Sequence, residues 1–140
     1  MTYEAHERVG SLGIVAVLLA FAVVAARPRL RAQAEIGRLV PIAITVRLLE
    51  PAGERTVEAL APVTIGRDRE ATVFVADAEA SRSHARLDAE GGVIFLRDLE
   101  SRNGTFLNGR RIRSAIEVRE GDEIDVGTTR MIVERLAPWT

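Results

Sequence analysis

Cysteine and lysine are absent from the 140 residues of this chain, and histidine occurs only twice. Without cysteine there are no disulfides, no thiolate nucleophile and no cysteine-based zinc site. Two isolated histidines do not form a metal cage without help from carboxylates. We therefore expect no metal and no cofactor. The absence of cysteine is compatible with a cytoplasmic domain but does not establish one.

An excess of charge of either sign is also missing. Every one of the 19 basic residues is arginine, and 20 acidic residues leave a net charge of -1. Such a chain has no overall basic field to attract nucleic acid, which is therefore not an expected partner. Any anion that the protein binds must be held by a local group of side chains.

The first part of the chain contains a long apolar segment. Residues 9–26 are 18 residues without a charge. As a helix they would extend about 27 Å, close to the thickness of a bilayer core. We interpret the segment as a single transmembrane helix after a short extracytoplasmic tail, residues 1–8. A cleaved signal peptide is the main alternative, because Val24-Ala25-Ala26 resembles a small-residue cleavage site; a buried core helix is the other.

The charges that flank this segment favour the anchor and set its orientation. Arg8 is offset by Glu4 and Glu7, whereas four basic residues follow the segment: Arg27, Arg29, Arg31 and Arg38. The positive-inside rule then places the C-terminal side in the cytoplasm, with the anchor in the inner (plasma) membrane. A signal peptide would carry its basic residues ahead of the apolar segment. Residues 27–40 are interpreted as a basic juxtamembrane linker.

Residues 41–140 have the pattern of an all-β domain. Short apolar runs alternate with turn residues, and no apolar stripe at helical spacing continues for ten residues. The strand-like runs are Ile42 to Leu48, Val73 to Val75, Val93 to Leu96, Ile124 to Val126 and Met131 to Val133. The turn signals between them are Pro51-Ala52-Gly53, Glu90-Gly91-Gly92, Asn103-Gly104, Asn108-Gly109 and Glu120-Gly121-Asp122. The pattern is typical of a two-sheet sandwich of roughly ten strands.

Three segments of this domain carry candidate binding residues: Ile65-Gly66-Arg67, Ser81 to Leu87 (SRSHARL) and Asp98 to Gly109 (DLESRNGTFLNG). The guanidinium of Arg67 offers a rigid set of donors, and Ser81 adds a hydroxyl from a second loop. A phosphoryl group has three acceptor oxygens and about -1.5 to -2 charge, which such donors suit. The residue types therefore indicate an oxyanion site.

The order and spacing of these segments resemble the forkhead-associated (FHA) family over essentially the whole stretch from Ile42 to Leu136. The resemblance implies an FHA-type sandwich of about ten to eleven strands that binds phosphothreonine peptides. Arg67 and Ser81 match direct phosphate ligands, and Arg82 matches a further phosphate or peptide contact. Asn103 matches the residue that holds the peptide backbone. Arg102 stands where many relatives have Thr, and we expect it to contact the ligand.

Other motif residues are expected to support the binding loops. They are Gly66, His84, Gly104, Thr105, Asn108 and Gly109. The resemblance implies that His84 acts through hydrogen bonds and not through the ligand, while Phe106 is expected in the core. Ala80 replaces the larger aliphatic residue common before Ser81, in a segment rich in small residues, so the peptide preference beyond phosphothreonine stays open.

The sequence thus predicts a membrane-tethered phosphothreonine reader that is an adaptor in bacterial Ser/Thr kinase signalling. Its partner would be a Ser/Thr kinase or a kinase substrate, and its oligomeric state stays open. The alternative is a phosphate-independent scaffold of an envelope, division or secretion complex. Catalysis is not expected, because Ser81 and His84 share one segment and lack an evident third member or oxyanion hole.

Overall fold

The computed structural model describes residues 40–139, and these residues form eleven β-strands. The strands are β1 (Ile42–Glu50), β2 (Gly53–Leu60), β3 (Val63–Gly66), β4 (Val73–Phe74), β5 (Ala85–Glu90), β6 (Val93–Asp98), β7 (Thr105–Leu107), β8 (Arg110–Arg111), β9 (Ile116–Val118), β10 (Glu123–Val126) and β11 (Thr129–Pro138). No helix capable of crossing a membrane occurs among these residues. The predicted tail, transmembrane helix and most of the linker lie outside the described residues.

The strands form two sheets that pack as a sandwich. The six-stranded sheet has the order β2-β1-β11-β10-β7-β8, and the five-stranded sheet has the order β4-β3-β5-β6-β9. All pairs are antiparallel except β3 with β4, which is parallel. The predicted all-β sandwich of about ten to eleven strands is confirmed.

The alternation of apolar residues explains which faces meet. In β1, Ile44, Val46 and Leu48 are at most 1% exposed, and the residues between them are half-buried. Side chains two apart lie on the same face of a strand, so this face covers the core. β2 has no apolar alternation of this strength, because it is an edge strand whose side chains are exposed or half-buried.

The core is aliphatic and contains few polar groups. Its largest fully buried side chains include Ile65, Leu87, Leu96, Ile124 and Met131. Phe106, which the sequence places in the core, is only half-buried. The reason is register: on β7 it lies between Thr105 and Leu107, which are the residues that face inward.

Candidate functional site

The chain at the end of β3 contacts the loop between β4 and β5. The N–H of Arg67 donates to the carbonyl of Ser81 at 3.0 Å, and the N–H of Asp68 donates to that of Arg82 at 3.2 Å. A Cβ on Gly66 would lie 1.9 Å from the carbonyl oxygen of Arg82. The two segments therefore approach closely only because residue 66 is glycine.

The side chain of Arg67 is held at one end and open at the other. Its Nε donates to the carbonyl of Ala80 at 3.1 Å. Neither terminal nitrogen of its guanidinium has a hydrogen-bond partner within residues 40–139. Arg82 is exposed, and its side chain likewise has no partner in that range. Both arginines can therefore donate to a ligand.

His84 lies beneath these loops and joins two of them. It is fully buried, and its Nδ1 accepts a hydrogen bond from the N–H of Ser81 at 3.0 Å. The neutral ring therefore carries its proton on Nε2, which donates to the carbonyl of Gly104 at 2.9 Å. One side chain thus connects the β4–β5 loop to the β6–β7 loop.

Ser81 presents its hydroxyl to the surface between the same two loops. The oxygen accepts a hydrogen bond from the N–H of Arg102 at 3.0 Å, which leaves the hydroxyl proton available for donation. The imidazole of His84 is no base for this hydroxyl, because backbone groups occupy both of its ring nitrogens. The pair suits anion binding and lacks the geometry of a nucleophile with its base.

A carboxylate fixes the turn of the β6–β7 loop from inside. Asp98 accepts hydrogen bonds from the N–H and hydroxyl of Ser101 and from the hydroxyl of the fully buried Thr105. Burial acts to raise the pKa of Asp98, but these hydrogen bonds outweigh it and hold the pKa below its usual value. Gly104, at φ +86°, then continues the turn in the left-handed region.

Asn103 extends from this loop to the β4–β5 loop. Its Nδ2 donates to the backbone carbonyl of Glu79 at 2.9 Å and to the carboxylate Oε2 of Glu79 at 3.0 Å. Its side-chain oxygen has no partner within the described residues. The amide that the sequence assigns to peptide binding therefore lies beside an acidic side chain, which the sequence analysis did not single out.

Asp77 is a second residue that the sequence analysis passed over. It is only 8% exposed, and its Oδ2 accepts from the N–H and hydroxyl of Thr128 and from the hydroxyl of Thr129. Its Oδ1 accepts from the N–H of Glu79 at 2.9 Å. Burial opposes ionisation, yet these bonds lower the pKa of Asp77. Asp77 thereby connects the β4–β5 loop to the turn between β10 and β11.

The structure places Asn108 and Gly109 apart from this cluster of loops. They form the two-residue turn between β7 and β8, with φ values of +51° and +79°. The Oδ1 of Asn108 accepts from the N–H of Glu123, and its Nδ2 donates to Asp122. They brace the β7–β8 hairpin against β10 and make no described hydrogen bond to the binding loops.

The five ligands predicted from the sequence lie at one end of the sandwich: Arg67, Ser81, Arg82, Arg102 and Asn103. Three loops carry them, and side chains from beneath hold those loops. Within residues 40–139 no group of three or more His, Asp or Glu side chains is placed to hold a metal ion. The arrangement offers cationic and hydroxyl donors to an anion.

The same region of the chain matches known proteins. Residues 63–127 match the FHA domain family. The FHA domain-containing protein FhaB of Mycolicibacterium smegmatis is 37% identical over 78 residues, which are 56% of this chain and 50% of that protein. The chain spans about half the length of the bacterial relatives it matches.

Solved structures give the same fold. One, from a structural and functional analysis of phosphothreonine-dependent FHA domain interactions, has a TM-score of 0.60 and 31% identity, with 66% of this chain and 96% of that chain covered. Another is Mycobacterium tuberculosis EmbR in complex with a low-affinity phosphopeptide. It has a TM-score of 0.59 and 28% identity, with 69% of this chain and 25% of that one covered.

Proposed function

Because the chain belongs to the forkhead-associated family, we propose that its loop end binds phosphothreonine segments of a partner protein. The observation that carries this proposal is the unfilled donor capacity at one place. Arg67 has terminal guanidinium nitrogens without a described partner, and the Ser81 hydroxyl has a proton to donate. These donors stand on two loops that backbone hydrogen bonds hold together.

The donors suit a phosphate ester better than a carboxylate. A phosphoryl group presents three acceptor oxygens, so it can accept from Arg67, from Ser81 and from a third donor such as Arg82 or Arg102 at the same time. Charge-assisted hydrogen bonds of this kind contribute roughly 1.5 to 3 kcal/mol each. The methyl group that distinguishes phosphothreonine from phosphoserine supplies only about 1 to 3 kcal/mol in an apolar niche.

Asn103 is assigned to the peptide backbone. Its Oδ1 is open and can accept a peptide N–H next to the phosphorylated residue. Its Nδ2 is engaged with Glu79 and becomes available to a peptide carbonyl only if Glu79 moves aside. We therefore place peptide beside the β6–β7 loop and phosphate nearer the β3–β4 loop.

The test is a titration of the full chain, in mild detergent, with a phosphothreonine peptide library. Matched unphosphorylated and phosphoserine peptides are the controls. Wild type is compared with Arg67→Ala and with Arg135→Ala, which removes an exposed arginine from β11, outside the binding loops. Binding that needs both the phosphate and Arg67 supports the proposal. Folded protein that binds a partner without phosphate would support the scaffold alternative instead.

We propose further that the domain is an adaptor in bacterial Ser/Thr kinase signalling and is tethered to the inner membrane by residues 9–26. The support for the tether is the charge asymmetry around that uncharged segment. A tether confines the domain to a surface and raises its effective concentration toward membrane-bound phosphoproteins, so a modest affinity suffices. Fractionation of cells that express the full chain, or a chain lacking residues 1–40, tests the tether. Envelope localisation of the truncated chain would contradict it.

A further inference from the structure

A cleft of about 720 Å³ lies between β8 and β9, outside the phosphate-binding loops. Its rim carries Arg110, Arg111 and Arg113, and no acidic residue lines it. Leu107 and Ile112 contribute apolar surface, as does Ile116, which is 41% exposed. The cleft therefore combines cationic donors with apolar side chains.

The three arginines of the cleft have no carboxylate partner among the described residues. Six arginines of the described residues pair with a carboxylate: Arg47, Arg55, Arg86, Arg97, Arg119 and Arg130. Arg110, Arg111 and Arg113 are exposed, and no carboxylate within residues 40–139 lies in salt-bridge distance of them. Three neighbouring cations that repel one another attract an anionic ligand.

One contact joins the cleft to the loop that carries Asn103. A Cβ on Gly104 would lie 2.6 Å from the Nε of Arg111, so the Arg111 side chain packs directly on Gly104. Gly104 follows Asn103, the residue assigned to the peptide backbone. A peptide that passes Asn103 is therefore within reach of the first arginine of the cleft.

No described strand covers the cleft. β8 is the edge of the six-stranded sheet and β9 is the edge of the five-stranded sheet, so the sandwich is open on this side. Each edge strand offers backbone groups that an extended segment can meet. The geometry thus accommodates an extended, anionic continuation of the same ligand.

We propose that this cleft binds an anionic segment that flanks the phosphothreonine of the partner, and so selects acidic or doubly phosphorylated sequences. The inference rests on the proposed function, because the phosphothreonine brings the segment to the cleft. Carboxylates and a second phosphate share the required charge. Arg110 and Arg113 are the selective residues, whereas Arg111 also supports Gly104.

The experiment measures the affinity of the full chain for one neutral phosphothreonine peptide and four derivatives. Two derivatives carry three Glu residues, one of them before and the other after the phosphothreonine. The other two carry a single phosphoserine, again one before and one after. The variants are Arg110→Gln/Arg113→Gln and the control Arg119→Gln/Arg135→Gln, which removes two charges from outside the cleft. Arg119 is 78% exposed at its side chain.

On one side of the phosphothreonine, we expect the anionic derivatives to bind about five- to tenfold tighter than the neutral peptide at low salt, as a few exposed ion pairs allow. The gain should shrink with added salt. The cleft variant should lose the gain with anionic derivatives but keep its affinity for the neutral peptide. The control variant should keep the gain and the affinity. A gain with Glu identifies carboxylates as ligands, and a gain with phosphoserine alone identifies a second phosphate.

Two results overturn the proposal. One is the absence of any gain with the four derivatives; the other is a gain that survives in the cleft variant. If the neutral peptide binds through Arg67 in either case, only the cleft proposal fails. If no phosphothreonine peptide binds, the proposed function fails and the cleft proposal fails with it.

Discussion

Both hydrogen bonds of the Asn103 amide nitrogen go to Glu79, one to its backbone carbonyl at 2.9 Å and one to its carboxylate at 3.0 Å. The carboxylate is exposed, and it lies at the position proposed for the peptide backbone. A phosphopeptide must displace it or bind beside a negative charge. In the proposed binding mode, Glu79 therefore opposes the ligand in this conformation.

We expect Glu79→Ala to bind a neutral phosphothreonine peptide about two- to fivefold more tightly, because it removes a like charge and frees an Asn103 donor. Isothermal titration at low and high salt measures the change, and the electrostatic part should fade with salt. Glu58→Ala removes an exposed carboxylate from β2 and is the control. Unchanged or weaker binding by Glu79→Ala would show that the carboxylate does not compete.

The buried imidazole of His84 stabilises the domain, and it affects binding only indirectly, through the loops that it joins. His84→Ala leaves the N–H of Ser81 and the carbonyl of Gly104 without their partner and opens a cavity. We expect the free energy of unfolding to fall by about 2 to 4 kcal/mol. Urea denaturation measures it, with Ser83→Ala at the exposed neighbour as control. A loss below about 0.5 kcal/mol would contradict the bridging role.

The ionised carboxylates of Asp98 and Asp77 are expected to make the stability of the domain depend on pH. The pKa of each is lowered in the folded protein, so each contributes stability above the ordinary Asp value of about 3.9. That contribution is lost as the pH falls through the lowered folded value. Asp98→Asn should therefore be less stable at pH 7 and lose less stability below about pH 4. Thermal unfolding from pH 7 to pH 3 tests this, and parallel curves for variant and wild type would refute it.

A single carbon added at Gly66 is expected to separate two binding loops. In Gly66→Ala the Cβ would lie 1.9 Å from the carbonyl oxygen of Arg82, so the backbone must shift. We expect a loss of about 1 to 3 kcal/mol in stability and at least tenfold weaker phosphopeptide binding, since Arg67 and Ser81 would move apart. Gly91→Ala, in the turn between β5 and β6, meets no atom within 4 Å and is the control; its own cost in stability comes from its φ of +59°. Equal weakening of phosphopeptide binding by the two changes would exclude the loop contact as the cause.

Residue types and their order were enough to predict the all-β class, five of the eleven strands and a set of candidate ligands. Alternation in β1 marks one buried face, and Asn108-Gly109 marks a tight turn, because both are local consequences of side-chain type. β2 is among the strands that the pattern did not mark, since an edge strand with exposed charges has a weak apolar signal. The segment 9–26 stays a prediction from composition alone.

Which residues hold the site in shape became clear only from the folded chain. Asp77 lies 51 residues from Thr128, and Glu79 lies 24 residues from Asn103, so no local pattern shows either contact. A local sequence pattern accompanies only the hydrogen bond from the N–H of Glu79 to Asp77, which forms an Asp-centred turn within a run of small residues. Such long-range hydrogen bonds depend on how the two sheets pack, and packing is a property of the whole chain.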